Sequence, residues 1–296
     1  ATLWRALADR LGLDVLFLAG DWRHGVQAEQ IAAALADDKG QLIKAVCCVH
    51  NETSTGVTSD IAAVRRAMDD TGHPALLMVD TISSLASIDY RHSEWGVDVT
   101  IGGSQKGLML PPGLSFNAVS EKALAAHEAG GMTRSYWDWS AMLGANKGGA
   151  FPYTPATNLL YGLDEAISML GEEGLQNVFQ RHARLAEATR RAVAAWGLET
   201  VAQVESEKSN SLTAVLLPEG HDADAFRSVV LQHFNMSLGN GLGRLAGRAF
   251  RIGHLGDFNE LMLAGTLSGV EMGLAAAGIP HSKGGVQAAL DFLSEI

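Results

Sequence analysis

Strand–helix alternation, nearly all-apolar strands and a glycine-rich loop at a strand end predict an α/β fold. The expected body is a mainly parallel sheet covered on both faces by helices, followed by a smaller α+β unit. Strands buried in a parallel sheet read as continuous apolar runs, because neither face meets water. Ile43-Lys44-Ala45-Val46-Cys47-Cys48-Val49, Ala75-Leu76-Leu77-Met78-Val79 and Val97-Asp98-Val99-Thr100-Ile101 are such runs, with helical spacing before the first and between the first two. Gly102-Gly103-Ser104-Gln105-Lys106-Gly107 follows the third run directly. At 296 residues the chain is long enough for one large domain and a smaller one.

Taken in order, Leu3, Trp4, Leu7 and Leu11 share one face of an amphipathic helix that Gly12 stops. No leading strand comes before that helix, and an upstream segment is expected. Residues 27–38 turn Ile31, Ala34 and Leu35 inward as a second helix. The run 43–49 is a strand. Ser59 or Asp60 caps a helix through Met68, and 75–79, 97–101 and 114–119 are further strands. Gly107 to Gly113, with Pro111 and Pro112, forms a loop. Residues 130–157 read as irregular and carry Tyr136, Trp137, Trp139, Phe151 and Tyr153, the character of a lid, an interface, a site edge or a core cover. Asn158 to Trp196 is helical with breaks near Gly171 and Gly174. A strand at 211–217, a helix at 223–234, a strand at 249–253 and helices at 259–278 and 285–295 complete the second unit. The expected division is 1–172 for the large domain and 173–296 for the small one.

Composition narrows the classes of function. With 47% hydrophobic and 19% charged residues the chain has the balance of a globular protein with a large core. A net charge of −11 argues against nucleic acid or an anionic membrane as the main partner. No apolar run reaches the roughly 20 residues of a spanning helix, and no signal-peptide pattern is present, so a cytoplasmic protein is expected. Cys47 and Cys48 are adjacent in a strand, where neighbours point to opposite faces; they read as small core residues and not as a disulfide. The ten histidines show no metal-binding spacing.

Three successive strands end in polar groups: His50-Asn51-Glu52-Thr53-Ser54-Thr55-Gly56, Asp80-Thr81 and Ser104-Gln105-Lys106. In open α/β sheets ligands bind beyond the carboxyl ends of the strands, so these groups are candidates to meet around one ligand. Alone, each has a plainer role. Asp80 suits a turn cap, Lys106 a surface cation, Thr53, Ser54 and Thr55 turn hydroxyls, and His50 a hydrogen-bonded structural histidine. Together, a carboxylate one strand before a loop lysine, with hydroxyls from a third strand, is what pyridoxal phosphate (PLP) requires. Its ring nitrogen needs a carboxylate to stay protonated, its aldehyde a lysine amine, its phenolate a hydroxyl donor and its phosphate several donors.

The same residues carry a family pattern. His50-Asn51-Glu52-Thr53-Ser54-Thr55-Gly56, then Val79-Asp80-Thr81-Ile82-Ser83-Ser84, then Gly103-Ser104-Gln105-Lys106-Gly107 with Pro111-Pro112-Gly113, resembles the class V aminotransferases, in particular their serine–glyoxylate and alanine–glyoxylate branch. The resemblance continues through Tyr153-Thr154-Pro155, Asn158-Leu159-Leu160-Tyr161-Gly162-Leu163 and Phe250-Arg251-Ile252-Gly253-His254-Leu255-Gly256. It implies the type I fold of PLP-dependent transferases. It implies that Lys106 is the Schiff-base lysine, that Asp80 binds the ring nitrogen, that Thr53 bonds the ring oxygen and that Ile82 packs beneath the ring. Gln105 would touch the phosphate, and Tyr153 and Thr154 would reach the phosphate of a neighbouring subunit, which requires at least a homodimer. Arg251 would clamp the substrate carboxylate, where the plainer role is a salt bridge between domains.

The implied reaction moves an amino group from an amino acid, serine first, to glyoxylate, giving hydroxypyruvate and glycine; alanine and aspartate donors stay open. The family's first phosphate-binding loop and the residue stacking on the ring's upper face fall upstream of Ala1 in this pattern. The alternative expectation is therefore an inactive aminotransferase-like protein. A PLP lyase or desulfurase would need a reactive cysteine in a mobile loop, which neither cysteine supplies. A nucleotide-binding loop would need the GxxxxGK[ST] order, which Gly102–Gly107 lacks.

Overall fold

A computed structural model describes residues 1–295 and contains two four-stranded sheets and a two-stranded hairpin. Helices α1 (Thr2–Arg10) and α2 (Ala28–Asp37) lead to β1 (Ala45–Val49), the hairpin β2 (Asn51–Glu52) and β3 (Val57–Thr58), α3 (Ile61–Thr71), β4 (Leu76–Asp80), β5 (Val99–Gly103) and β6 (Ser115–Val119). The first sheet has the order β1-β4-β5-β6. Its first three strands run parallel and β6 returns antiparallel to β5, so the sheet is mainly parallel, as expected.

Alternation along the strands sends Cys48, Leu77 and Val79 to one face, where α2 brings Ile31 and Leu35 and α3 brings Ile61, Val64 and Met68. Burying each such side chain contributes about 1.5–3 kcal/mol relative to leaving it exposed. Asp60, not Ser59, caps α3, its carboxylate accepting from Ala63 N–H at 2.8 Å. The reading of both cysteines as core residues needs correction. Both thiols are free, but only Cys48 is buried; Cys47 is exposed. The reason is the period of two: if Cys48 faces α2 and α3, Cys47 faces away, and β1 is an edge strand.

After β6 come α4 (Glu121–Ala129), α5 (Trp139–Asn146), α6 (Thr157–Glu173) and α7 (Leu175–Ala195). Helix α5 lies inside the stretch expected to be irregular. Asp138 caps it by accepting from Ala141 N–H at 2.9 Å. Its apolar residues line no single face and none is buried, so no periodicity marks it. The helical stretch breaks only at Gly174, in a positive-φ conformation (φ 83°), while Gly171 is inside α6.

The second sheet is antiparallel, in the order β7 (Glu199–Thr200), β8 (Leu212–Leu216), β10 (Ala249–Gly253) and β9 (Gly239–Asn240). Around it lie α7, α8 (Ala223–Phe234), α9 (Glu260–Ala276) and α10 (Gly285–Leu293). Trp196, Phe226, Phe250, Leu263 and Leu267 form its core. Among the described residues no helix is long and apolar enough to cross a membrane.

Gly107 shows how tightly the loops at the strand ends pack. A Cβ there would overlap the Leu85 carbonyl oxygen and stand 2.5 Å from Ser87 Oγ. Gly107→Ala is therefore expected to destabilise the protein by about 1–3 kcal/mol, read by urea unfolding. Unchanged stability would show that the 85–87 turn is free to move away.

Candidate active site

Parallel pairing brings three strand ends to one edge. Val49 is opposite Asp80, and Asp80 is opposite Ile101, two residues before β5 ends at Gly103. The Asp80 side chain thus projects from the same face as Gly103, with Lys106 three residues beyond. His50 N–H donates to Asp80 O at 2.9 Å, and Thr81 N–H to Ile101 O at 2.8 Å, extending the ladder past the strands. Asp80 is half-buried, and its Oδ1 accepts from Ile82 N–H at 2.9 Å. Burial pushes its carboxyl above the ordinary 3.8, against the lowering effect of that N–H.

The lysine loop is closed by Ser104, a fully buried hydroxyl that donates to Pro111 O at 2.8 Å and accepts from Leu114 N–H at 3.1 Å. Gln105 is exposed and Lys106 half-buried. Among the described residues, the Lys106 amine has no hydrogen-bond or ion-pair partner. Gly103 leaves a cradle: a Cβ there would stand 2.9 Å from Gln105 Oε1 and 3.5 Å from Ile82 Cγ2. Ile82, Gly103 and Gln105 are therefore neighbours.

Thr53 joins the group through Ser83. Its hydroxyl donates to Ser83 Oγ at 2.9 Å; Ser83 Oγ also accepts from Asn51 Nδ2 at 3.0 Å and donates to Asn51 O at 2.7 Å. Asn51 Nδ2 lies 3.0 Å from Ser211 Oγ as well, tying this edge to the start of β8. Arg251, on β10, donates from Nη1 to Thr53 O at 3.0 Å and from Nε to Asn240 O at 2.7 Å. No carboxylate among the described residues lies within ion-pair distance of it, so the salt-bridge alternative is not what this chain builds. Burial lowers the Arg251 pKa, with Arg227 adding to the effect.

Two other polar groups of these strand ends, Ser54 and His50, are held by partners within the chain. Ser54 N–H and Oγ both donate to Glu52 Oε1, at 3.0 and 2.7 Å, a local turn. His50 is buried between Tyr90 and Trp95, with Nδ1 2.9 Å from Ser84 Oγ, and burial pushes its pKa down to about 4. Tyr153 and Thr154 are exposed between α5 and α6. Tyr153 meets Ser135 Oγ at 3.3 Å and the Tyr136 ring at 5.0 Å, and among the described residues nothing joins it to Asp80 or Lys106. Asn51, Ser83 and Ser211 escape the sequence reasoning. Asn51 and Ser83 belong to the quoted motifs, but only the fold shows that they bind one another.

A lysine amine unpaired among the described residues, a half-buried carboxylate on the adjacent strand and a glycine cradle beside an isoleucine form a donor set that fits PLP: an amine for the aldehyde, a carboxylate for the ring nitrogen and an apolar floor. The family model for class-V aminotransferases matches residues 1–241. The chain belongs to this family.

A serine–glyoxylate aminotransferase of Methylorubrum extorquens is 51% identical over 99% of this chain and 74% of its own length. An L-aspartate–glyoxylate aminotransferase of Paracoccus denitrificans is 45% identical over 97% of this chain and 72% of its own length. A crystal structure of ureidoglycine–glyoxylate aminotransferase from Bacillus subtilis superposes with a TM-score of 0.89 at 30% identity, covering 99% of this chain and 76% of that one. Class V aminotransferases are PLP-dependent enzymes of fold type I, and this chain is one of them.

The raised pKa of Asp80 has a consequence for stability. The folded, cofactor-free chain holds that proton more tightly than the unfolded chain does. The stabilising contribution is fullest below 3.8 and is lost as pH rises through the folded value, so ionised Asp80 is a net cost at neutral pH. Asp80→Asn should raise the Tm of the cofactor-free protein at pH 7 by about 1–3 °C. It should also lower turnover by about 100-fold or more, because a neutral amide does not hold a ring nitrogen protonated. Paired calorimetry and assays check this; a lower Tm with full activity would contradict it.

Proposed function

We propose that this aminotransferase moves the amino group of serine to glyoxylate, producing hydroxypyruvate and glycine. The observation that carries the reading is Arg251: a half-buried guanidinium with no carboxylate partner among the described residues, bonded to Thr53 O beside the Asp80–Lys106 edge. Its planar fork suits the α-carboxylate of an amino acid or of glyoxylate. When bound, PLP supplies the electron sink for a carbanion at the donor's α-carbon. Asp80 would hold the ring nitrogen protonated, Thr53 would offer its hydroxyl to the ring oxygen, Ile82 would pack against the ring and Gln105 would meet the phosphate. Lys106 would hold the cofactor's aldehyde, and its Nζ would serve as the base for the donor's α-proton and then as the acid that gives the proton back. Ile82 and Gln105 flanking Gly103 support the shared placement.

Serine as donor draws on the 51% identical relative, whereas the 45% identical relative makes aspartate the second reading. The same proposal divides the chain into a cofactor-binding unit, 1–172, and a smaller unit, 173–296. It makes the working enzyme at least a homodimer in which Tyr153 and Thr154 reach the neighbour's phosphate group. Exposed Tyr136, Trp137, Phe151 and Tyr153 support such an interface. A cytoplasmic setting suits the two free thiols.

A panel of amino donors with glyoxylate tests the substrate. Serine is expected to give the highest kcat/KM, and a clear preference for aspartate or alanine would overturn the choice. Lys106→Ala should lose turnover by about 10,000-fold or more, and retained transamination would refute its role. A chain that neither turns yellow with PLP nor turns over any donor would favour the inactive alternative.

A further inference from the structure

His182 is fully buried on α7 and takes no part in the chemistry above. Its Nδ1 stands 2.7 Å from Val178 O. A carbonyl only accepts, so the proton is on Nδ1 and Nε2 is left as an acceptor. That acceptor takes the Gly256 N–H at 3.0 Å. Burial keeps the imidazole neutral by lowering its pKa, which preserves the acceptor. The neighbouring Arg181 holds the other side of the same residue: Nη1 donates to Gly256 O at 2.8 Å and to Phe258 O at 3.0 Å. Its Nε and Nη2 fork onto Glu173 Oε1 and Oε2 at 2.7 and 2.8 Å.

Gly256 is in the left-handed region (φ 84°), and a Cβ there would stand 3.4 Å from Met109 Cγ and 3.9 Å from Lys106 O. It therefore lies against the turn in which Met109 N–H donates to Lys106 O at 2.9 Å. On its other side, five residues back, is Arg251. Between them His254 is buried, bonded through N–H to Ser211 O at 3.1 Å and through Nε2 to Thr213 Oγ1 at 3.0 Å, which removes slack from the segment.

We propose that His182, assisted by Arg181, is a positioning residue: by clamping Gly256 against the Lys106 turn it sets the separation of Lys106 from Arg251. The inference rests on the PLP-dependent reading of the Lys106 site. A displacement of about 1 Å in such a site can cost about 100-fold in rate.

The test compares the wild-type chain with His182→Leu, His182→Gln and Thr189→Val. It measures thermal unfolding and, by borohydride reduction and peptide mass, the rate at which added PLP becomes fixed on Lys106. His182→Leu is expected to fix PLP about 100-fold more slowly while remaining folded. His182→Gln, whose Oε1 replaces the acceptor, should recover most of the rate. Thr189→Val loses a buried hydrogen bond to Leu185 O on the same helix, and should lower Tm without slowing the fixation. If His182→Leu does not fold, Arg181→Lys replaces it and should also be slow, because an ammonium cannot hold Gly256 O and fork onto Glu173. Wild-type rates in the folded His182→Leu or Arg181→Lys chain, or equal slowing in Thr189→Val, would overturn the proposal. A wild-type chain that never fixes PLP on Lys106 would instead overturn the site assignment beneath it.

Discussion

The site depends on the register of three parallel strands, Val49 beside Asp80 and Asp80 beside Ile101. Because side chains alternate, a slip of one residue in β4 would turn Asp80 toward the face covered by α2 and α3 and Val79 toward the opposite one. The apolar face of β4 resists that slip: Leu77 and Val79 are buried against α2 and α3 beside Cys48 of β1, and both would have to leave that core together. Hydrophobic burial on one side of the sheet thus fixes a carboxylate on the other.

Around that edge the chain leaves ionic groups without partners of its own. Asp80 is half-buried with only a backbone N–H donor, the Lys106 amine is unpaired among the described residues, and Arg251 is bonded to carbonyl oxygens. Such an arrangement costs stability until a ligand of complementary charge arrives, and binding offsets the cost by mass action. What holds the groups meanwhile is neutral: Asn51, Thr53, Ser83 and Ser211 form one connected set of hydrogen bonds linking the hairpin, the turn after β4 and the second sheet. With every member satisfied, such a network gives rigidity without adding charge.

The strands, and the placing of Asp80 and the Lys106 loop at their ends, were legible because their signals are local. Apolar runs mark parallel strands; Asp80 ends one of them and Lys106 sits in the loop three residues after another. Other features were not legible because they depend on which face a residue takes or on partners distant in sequence. Cys47 differs from Cys48 only in facing away from α2 and α3. Helix α5 lacks an apolar stripe and is held by its Asp138 cap. Gly171 continues a helix where Gly174 ends one, a difference of backbone conformation that residue type alone does not express. The links from Asn51 to Ser211 and from His182 to Gly256 join residues 160 and 74 positions apart and have no sequence spacing to announce them.

The most direct measurement is a crystal structure of the chain loaded with PLP. The account predicts one ring whose nitrogen lies within hydrogen-bond distance of the Asp80 carboxylate and whose aldehyde carbon is bonded to Lys106. A cofactor bound away from this edge, or attached to Lys106 with its ring nitrogen turned from Asp80, would contradict it.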